Sequence, residues 1–425
     1  FQSPFISIDR NAGRLPRILQ WSLGLQREVI KGTVVDLAYV GNRGVWWTAP
    51  LLSTDAYNAL TPAMVKAAGL DPTNPADLNL LTTPVNSPLV QARFPGLKAV
   101  TLPSGLQVAP GAYSSFPATQ QLGQALRPYP QWNGIPPFLG PPLGTTWYDS
   151  LQMKVTKRYS HGLDIQYAFT WQKELANGAN SDTSYLTPNP ALINDVFNRN
   201  ANKQISGFSR PLISIISLNY RTPGLKGSNS MAMKSASWVA RDWVIGAVLR
   251  YQSGALIRAA GSNNNFLSQL QRGPANNPAL WGGGTTFQNQ TGQPFFLQDP
   301  NCHCFDPTKD LVLNKAAWQD VGAGQFGTSA PYIDGYRWQR QPSESLSLGR
   351  VFPIARDGKI NLNLRVEFQN VLNRVFLSSP SATNPSALTL NTNPFSNGAP
   401  GALSSGFGFV NSVNGAGATP RSGQI

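Results

Sequence analysis

Residues 359–372 are Lys-Ile-Asn-Leu-Asn-Leu-Arg-Val-Glu-Phe-Gln-Asn-Val-Leu, and this stretch decides the fold. Apolar and polar side chains alternate along it. The apolar series is Ile360, Leu362, Leu364, Val366 and Phe368, and the polar series is Asn361, Asn363, Arg365, Glu367 and Gln369. Because successive side chains of a strand point to opposite faces, the segment has one apolar face and one polar face. An ordinary strand has about 5–6 residues, whereas this alternation continues for about ten, the length of a tilted strand that crosses a membrane.

The same alternation occurs in three further parts of the chain, each time as two strands joined by a turn. Together with the opening stretch, these segments predict strand pairs near residues 20–41, 147–174, 209–253 and 342–372. The segments between them are rich in Pro, Gly, Asn, Ser and Thr, and we predict that they are long loops: residues 43–145, 175–208, 254–341 and 373–420. Short turns that alternate with long loops are typical of bacterial outer-membrane barrels, in which the turns are periplasmic and the loops extracellular.

The composition narrows the class of protein. Charged residues make up 13% of the 425 residues, against about 25% in an average soluble domain. No run of apolar residues approaches the ~18 that a helical membrane span requires. The net charge is +14, but the basic residues are scattered and no nucleic-acid-binding motif occurs, so the sequence does not indicate a nucleic-acid partner. Basic loops that face anionic lipid headgroups account for the charge equally well.

Alternation alone does not tell which face of a strand meets lipid. A soluble all-β binding protein, such as a sandwich, alternates in the same way and is one alternative. Long strands, long loops at one end and aromatic residues near the strand ends favour an outer-membrane barrel. These aromatic residues are Trp21, Tyr39, Trp147, Tyr148, Tyr159, Trp171, Tyr220, Trp243 and Tyr251. We therefore predict an all-β fold, an antiparallel transmembrane β-barrel of which this chain supplies about eight long strands. The residues expected to face its lumen are Asn361, Asn363, Arg365 and Glu367.

Several phrases along these strands resemble the C-terminal barrel region of TonB-dependent outer-membrane receptors, in particular the Oar-like group with carboxypeptidase-regulatory-like N-terminal domains. The phrases are Gln20-Trp-Ser-Leu-Gly-Leu-Gln-Arg-Glu28, Val35-Asp-Leu-Ala-Tyr-Val-Gly-Asn-Arg-Gly44, Tyr148-Asp-Ser-Leu-Gln-Met-Lys-Val-Thr-Lys-Arg-Tyr-Ser-His-Gly162, Tyr167-Ala-Phe-Thr-Trp-Gln-Lys173, Gly246-Ala-Val-Leu-Arg-Tyr-Gln-Ser-Gly254 and Arg365-Val-Glu-Phe-Gln-Asn-Val-Leu-Asn373. The resemblance covers most of the chain through its strands, whereas the loops match only loosely. The order and spacing of the phrases are more specific than any one phrase.

This resemblance implies a barrel of about 22 strands, of which the chain would hold roughly the last third. It also implies an energy-coupled receptor that imports a bulky ligand, such as a glycan or a siderophore. Its partners would be outer-membrane lipid, its own plug domain and the TonB complex. No signal peptide, plug or TonB box is recognisable between Phe1 and Ile425, so we expect a fragment of a longer protein. A structural or adhesive outer-membrane barrel, which imports nothing, is the alternative function.

Tryptophans of the long loops are the candidate ligand-binding residues. They lie among Asn, Gln and Gly, and aromatic platforms with amide donors suit sugars. The candidates are Trp46, Trp47, Trp132, Trp281 and Trp318. Packing within the loops is the alternative explanation for each of them.

The two cysteines of the chain, Cys302 and Cys304, flank His303. Structural zinc normally needs four ligands, and no second Cys or His cluster is available, so a metal site is the weaker interpretation. We predict a disulfide, because nearby cysteines in an oxidising compartment usually pair. Such a bridge closes almost no loop, so it would stiffen the loop tip and add little global stability. The sequence has no nucleophile elbow, phosphate-binding loop or zinc-protease motif, and we predict neither an enzyme nor a bound cofactor.

Overall fold

One antiparallel sheet of ten strands dominates the computed structural model. The structure describes residues 14–47, 58, 60–132, 142–177, 194–195, 198–223, 231–262, 287–302, 304–322, 325–354, 360–386, 403–411 and 422–424. The strands are, in chain order, β1 (Arg17–Ile30), β2 (Thr33–Trp47), β3 (Val100–Thr101), β4 (Gln107–Val108), β5 (Gly144–Ser160), β6 (Leu163–Asn177), β7 (Lys203–Ile205), β8 (Leu212–Arg221), β9 (Trp243–Gln252), β10 (Leu256–Arg258), β11 (Asn289–Gln290), β12 (Trp318–Gln319), β13 (Tyr332–Arg337), β14 (Ser343–Pro353), β15 (Asn361–Gln369) and β16 (Ser422–Gln424).

Neighbours in the large sheet are mostly neighbours along the chain. The order is β1-β2-β5-β6-β8-β9-β14-β15-β16, and β7 pairs with the last three residues of β6, Leu175–Asn177. Within the described residues the sheet is open, because β1 and β16 lie at its edges and do not pair with each other. The remaining strands form three small two-stranded sheets, β3–β4, β10–β13 and β11–β12.

Backbone preferences explain two of the tight turns. Lys31 and Gly32 join β1 to β2, and Gly32 has a φ of +78°. His161 and Gly162 join β5 to β6 with φ of 53° and 84°, the pair of positive values that a type I′ hairpin turn requires. A side chain at position 162 would also meet the carbonyl oxygen of Arg221 in a neighbouring strand. The turn itself therefore accounts for the place of His161.

The strand register places the apolar positions on one continuous face of the sheet, which we name the apolar face. One row across it is Leu25, Leu37, Met153 and Phe169, and the adjacent row is Leu23, Tyr39, Leu151, Trp171 and Leu212. The opposite face, which we name the polar face, carries the row Gln26, Asp36, Lys154, Ala168 and Ile215. A shift of one residue in any strand would exchange its two faces, so the amphipathic pattern fixes this register.

The long connections all leave from one end of the large sheet, which we name the loop end. The opposite end is the turn end. Helices α1 (Pro62–Ala67), α2 (Pro75–Leu81), α3 (Pro88–Arg93) and α4 (Leu122–Ala125) lie between β2 and β5 at the loop end. Helix α5 (Met231–Ala240) lies at the turn end between β8 and β9, where the sequence predicted only a turn between the two strands. No helix among the described residues is long and apolar enough to span a membrane.

Capping explains where the first two helices begin. Thr61 accepts a hydrogen bond from the backbone N–H of Met64, and Asn74 accepts one from Ala76. Each cap is followed by a proline, whose fixed φ suits the first turn of a helix. Helix α1 is closed by Gly69, which has a φ of +78°, a value that glycine adopts without strain.

Two hydrophobic cores lie within the loops rather than against the sheet. The first loop cluster has a core of Leu60, Val65, Leu70, Leu78, Leu81, Val85, Val90, Leu97, Phe116 and Leu122. The second loop cluster has a core of Ile257, Phe287, Phe305, Val312, Leu313, Trp318, Tyr336, Trp338, Phe407 and Val410. The loops are therefore folded units with buried side chains of their own.

Candidate functional site

The apolar face of the sheet is exposed, although it carries large hydrophobic side chains. Leu23 is 76% exposed, and Trp171 is 59% exposed. Leu364, on a strand at the other side of the sheet, is 50% exposed. A contiguous apolar surface of this extent marks an interaction with another protein or with a membrane.

The polar face carries the four residues predicted to face a lumen. They are Asn361, Asn363, Arg365 and Glu367, all on β15 and all on the side opposite the apolar row. Arg365 Nε lies 2.7 Å from Glu367 Oε1, and Gln424 Nε2 donates to Glu367 Oε2 at 3.3 Å. This ion pair is largely exposed, so it contributes little to stability and leaves both groups accessible to a partner.

A cavity of about 450 Å3 lies at the loop end of the apolar face, and we name it the rim pocket. Residues of strands β2, β5 and β6 line one part of it, and Ile205, Ser209, Pro211 and Asp334 line the rest. Its lining includes Tyr39, Asp149, Leu151, Trp171, Lys173 and Asp334. The Tyr39 hydroxyl donates to Asp149 Oδ1 at 2.6 Å, which fixes both side chains. The rim pocket thus combines aromatic walls with polar groups, the usual composition of a small-molecule site.

Basic side chains stack on tryptophans just above the rim pocket. Arg43 lies directly opposite Trp147 in the register, with its guanidinium carbon 5.5 Å from the ring centre. Lys203 Nζ lies 4.3 Å from the centre of the same ring. Arg17 lies 4.6 Å from the ring centre of Trp46. Cation–π contacts hold these charges in place without neutralising them.

A second cavity, of about 540 Å3, lies beside β8 and β9 at the loop end, and we name it the arginine pocket. Leu212, Tyr251, Arg340 and Arg374 line it. Arg374 Nε donates to both carboxylate oxygens of Glu344, at 2.9 and 3.0 Å. Glu344 is only 2% exposed, so Arg374 compensates a charge that would otherwise be buried alone.

Arginines also converge beneath the second loop cluster. Arg210 and Arg337 both donate to the carbonyl oxygen of Gly254, at 3.1 and 3.4 Å. Arg337 pairs with Asp334 at 2.6 Å. Burial lowers the pKa of Arg210, and the neighbouring charges of Arg337 and Arg250 lower it further. These contacts attach the loops to the sheet through main-chain oxygens.

The candidate tryptophans lie in different environments. Trp46 is half-buried at a φ of 62°, an uncommon value for a bulky residue that indicates local strain. Trp47 is also half-buried, and its indole nitrogen has no hydrogen-bond partner among the described residues. Trp132 is half-buried, and its carbonyl accepts hydrogen bonds from Asn58 and Gln124. Trp281 lies outside the described residues.

Trp318 was predicted to contact a ligand, but its side chain is buried. It is 6% exposed in the second loop cluster, with its ring centre 5.5 Å from that of Phe295 and 5.5 Å from that of Tyr336. No bound ligand could reach most of this side chain, so Trp318 is a core residue and not a ligand contact. The sequence places it in a polar loop, and only the tertiary contacts reveal that this loop has a core.

Cys302 and Cys304 form a disulfide with their Cα atoms 5.1 Å apart. His303 lies outside the described residues. Close by, the pKa of Asp306 is lowered by hydrogen bonds from the side chain and backbone of Thr308. Among the described residues, no group of three or more His, Cys, Asp or Glu side chains is placed to hold a metal ion.

Comparisons with known proteins identify the class of fold. The sequence matches the family described as Outer membrane beta barrel domain over residues 1–424. No curated protein matches the chain by sequence. Among solved structures, the chain is similar to the outer membrane transporter YddB from Escherichia coli, with 10% identity, a TM-score of 0.35, and coverage of 96% of this chain and 34% of that chain. It is also similar to P. aeruginosa FpvA bound to heterologous pyoverdines, with 8% identity, a TM-score of 0.31, and coverage of 90% and 26%. The chain thus spans about a third or a quarter of the length of these proteins.

Proposed function

The chain belongs to the outer membrane beta barrel domain family, and we propose that it forms part of the wall of a TonB-dependent receptor that takes up a bulky ligand. The protein is located in the bacterial outer membrane, and its antiparallel sheet is part of an outer-membrane β-barrel. Lipid then covers the apolar face, because the bilayer is the solvent that tolerates exposed Leu, Phe and Trp side chains. The predicted alternative of a soluble binding protein does not fit this location.

The observation that carries the uptake proposal is the folding of the loops into two clusters with their own cores at the loop end. Long loops in a membrane barrel cost conformational entropy when they are ordered. Ordered loops on a rigid scaffold are the usual place for ligand recognition. The sequence resemblance to TonB-dependent receptors supports the same function. We also propose that this chain is the C-terminal part of the barrel of an Oar-like receptor.

The polar face supports a role for a plug domain in the intact receptor. Asn361, Asn363, Arg365 and Glu367 present amides and charges from a single strand, and the ion pair of Arg365 with Glu367 is accessible. A plug inside a barrel needs partners of this kind, because a lumen wall is wet and polar. We assign these four residues to the contact with plug or lumen water.

The ligand class that fits the loops is a glycan or a siderophore. Trp46, Trp47 and Trp132 supply aromatic surface near the loop end, and Trp281 is a further candidate from the sequence. The stacked pair of Arg17 and Trp46 offers both a ring and a charge. We propose no enzymatic role.

An uptake experiment in the native bacterium tests the proposal. The intact gene is compared with a TonB-deletion strain and with a variant in which residues 60–132 are replaced by a short Gly/Ser linker. The probes are ferrichrome and maltohexaose, supplied singly and measured as cell-associated label over time. Uptake of one probe that is lost in both altered strains agrees with the proposal. Cell-surface binding that persists without TonB and leads to no uptake would instead support the adhesive alternative.

A further inference from the structure

The apolar face has a feature that uptake does not require: basic residues gathered at its loop end. Arg43, Trp147 and Lys173 lie on the same face as the lipid-facing rows, and Lys203 stacks on Trp147 from β7. We name these four residues the basic shelf. Each lies on the apolar face of the sheet and not on the polar face.

Next to the basic shelf, toward the turn end of the sheet, the surface becomes apolar. Along β2, Arg43 precedes the Tyr39 row and then the Leu37 row toward the turn end. At about 3.3 Å per residue, Arg43 and Leu37 are separated by about 20 Å along the strand. The rim pocket lies between them, lined by Tyr39, Leu151 and Trp171. The order from the loop end is therefore charge, then an aromatic pocket, then a purely apolar surface.

The charges of the basic shelf are available to a ligand. Asp149 faces Lys173 in the register, but its Oδ1 accepts the hydroxyl of Tyr39. Lys173 is exposed and makes no ion pair within the described part of the chain. Arg43 and Lys203 contact the ring of Trp147, which leaves their positive charge intact. An anionic group beside Trp147 would meet three cations.

We propose that the basic shelf and the rim pocket bind a phosphate-bearing glycolipid of the outer leaflet. The phosphate lies against Lys173, Lys203 and Arg43, where charge attraction to cations at a membrane surface is strongest. The sugar carrying it occupies the rim pocket, with its ring against Trp171 and its hydroxyls near Asp149 and Asp334. The acyl chains follow Leu37, Met153 and Phe169 toward the turn end.

The pocket chemistry favours a glycolipid over a simple phospholipid. A headgroup without sugar would place its phosphate beside the carboxylates of Asp149 and Asp334. Their Oδ1 atoms accept hydrogen bonds from Tyr39 and Arg337, and their Oδ2 atoms accept none among the described residues. Sugar hydroxyls donate to such carboxylates, and sugar rings pack on aromatic side chains. The cavity of about 450 Å3 has room for a sugar ring and lies within the usual range of about 300–1,000 Å3 for ligand pockets.

The test measures lipid retained by the intact protein. The protein is purified from its own outer membrane, placed in phosphatidylcholine nanodiscs and titrated with diphosphoryl lipid A. Variants K173Q and K203Q remove one charge each, and K154Q is the matched control because Lys154 lies on the polar face of neighbouring β5. Heat-modified migration in detergent confirms that each variant is folded. This readout needs neither TonB nor an import ligand, so it is independent of the proposed uptake.

We expect each of K173Q and K203Q to weaken lipid A binding about fivefold, the effect of one charge near a membrane surface, and K154Q to leave it unchanged. Lipid A lacking both phosphates should bind far more weakly, and inorganic phosphate should not compete. Equal weakening by K154Q, unchanged binding in K173Q and K203Q, or equal binding of phosphate-free lipid A would overturn the proposal. Equal retention of phosphatidylglycerol would overturn the assignment to a glycolipid.

Discussion

The sheet and the loop clusters use the same apolar side chains in opposite ways. In the first loop cluster, Leu60 and Phe116 are fully buried by other residues of the protein. On the sheet, Leu23 and Leu25 are 76% and 69% exposed, and none of the described residues forms a second layer over them. In an ordinary domain both sets would lie in one core. The difference shows that the bilayer takes the place of a core for the sheet, while the loops, which lie in water, must build their own.

The comparison also separates the causes of stability. The sheet is held by interstrand hydrogen bonds and by the absence of water around its apolar face. The loop clusters are held by close packing, for which every removed methylene group leaves a cavity. A substitution should therefore have different effects in the two regions even where the residue types match.

The largest expected effect is in the packed region. Phe116→Ala should destabilise the first loop cluster by about 3–5 kcal/mol, because Phe116 is fully buried and its loss leaves a cavity. Hydrogen exchange of residues 60–132 in the intact protein measures this loss. The matched variant is Leu23→Ala on the exposed apolar face, where lipid refills the space. A comparable destabilisation by Leu23→Ala would contradict the comparison.

On the apolar face of the sheet, a change in side-chain polarity should affect stability more than a change in side-chain volume. Met153→Arg places a charge in the middle of the apolar face and should destabilise the barrel by about 2–4 kcal/mol. Gln152→Arg is the control, because Gln152 is the next residue on β5 and lies on the polar face. Urea unfolding in lipid vesicles distinguishes the two variants. If both lose the same stability, the assignment of lipid-facing and lumen-facing sides is wrong.

Loss of the ion pair between Glu344 on β14 and Arg374 in the segment after β15 should have an intermediate effect on stability. Arg374→Gln leaves the buried carboxylate of Glu344 without its cation and should cost about 1.5–3 kcal/mol. Arg340→Gln removes a charge from the same pocket, but Arg340 has no ion pair among the described residues, so its effect should be small. Protease susceptibility of the segment after β15 measures the difference. The double variant with Glu344→Gln should recover part of the loss, and failure to do so would argue against the pairing.

The disulfide between Cys302 and Cys304 should contribute less to stability than the ion pair of Glu344 with Arg374. Cys302→Ser with Cys304→Ser opens a bridge with a sequence separation of 2, and so small a loop should yield less than about 2 kcal/mol. Thermal unfolding of the intact protein should therefore shift only slightly, whereas hydrogen exchange near residues 299–310 should increase. A large drop in the unfolding temperature would show that the bridge has a wider structural role.

The smallest expected effect is a local pH dependence in the same loop. The folded pKa of Asp306 lies below its usual value of 3.8, because Thr308 donates hydrogen bonds to the carboxylate. A depressed pKa gives stabilisation that is present above 3.8 and is lost as the pH falls through the folded value. Exchange of the Thr308 amide should rise in that range in the wild type. In Asp306→Asn the rise should disappear, and its persistence would assign the pH dependence to another group.

Much of the sheet could be predicted from the sequence. The alternation in β15 and in the pair β5–β6 depends only on neighbouring residues, and it assigns both faces before any partner strand is known. The segment around Met231 was predicted less well, because the surrounding Gly and Ser residues suggested a turn whereas the local run of Met, Ala and Lys favours helix α5. The candidate site was predicted only in part, since Trp318 proved to be core and the basic shelf was missed.

The sequence by itself determined the strands and their two faces, because a period of two is a local property of the chain. Long strands, long loops and aromatic residues near the strand ends added the outer-membrane class. Only the tertiary structure decided which loop residues share a core, such as Ile257 with Val410, and which charges meet, such as Glu344 with Arg374. Those contacts join residues far apart in the chain, and no local pattern encodes a distance in space. The opening stretch at residues 359–372 is thus a strand by its own sequence, while the pockets at the loop end exist only where distant loops and strands come together.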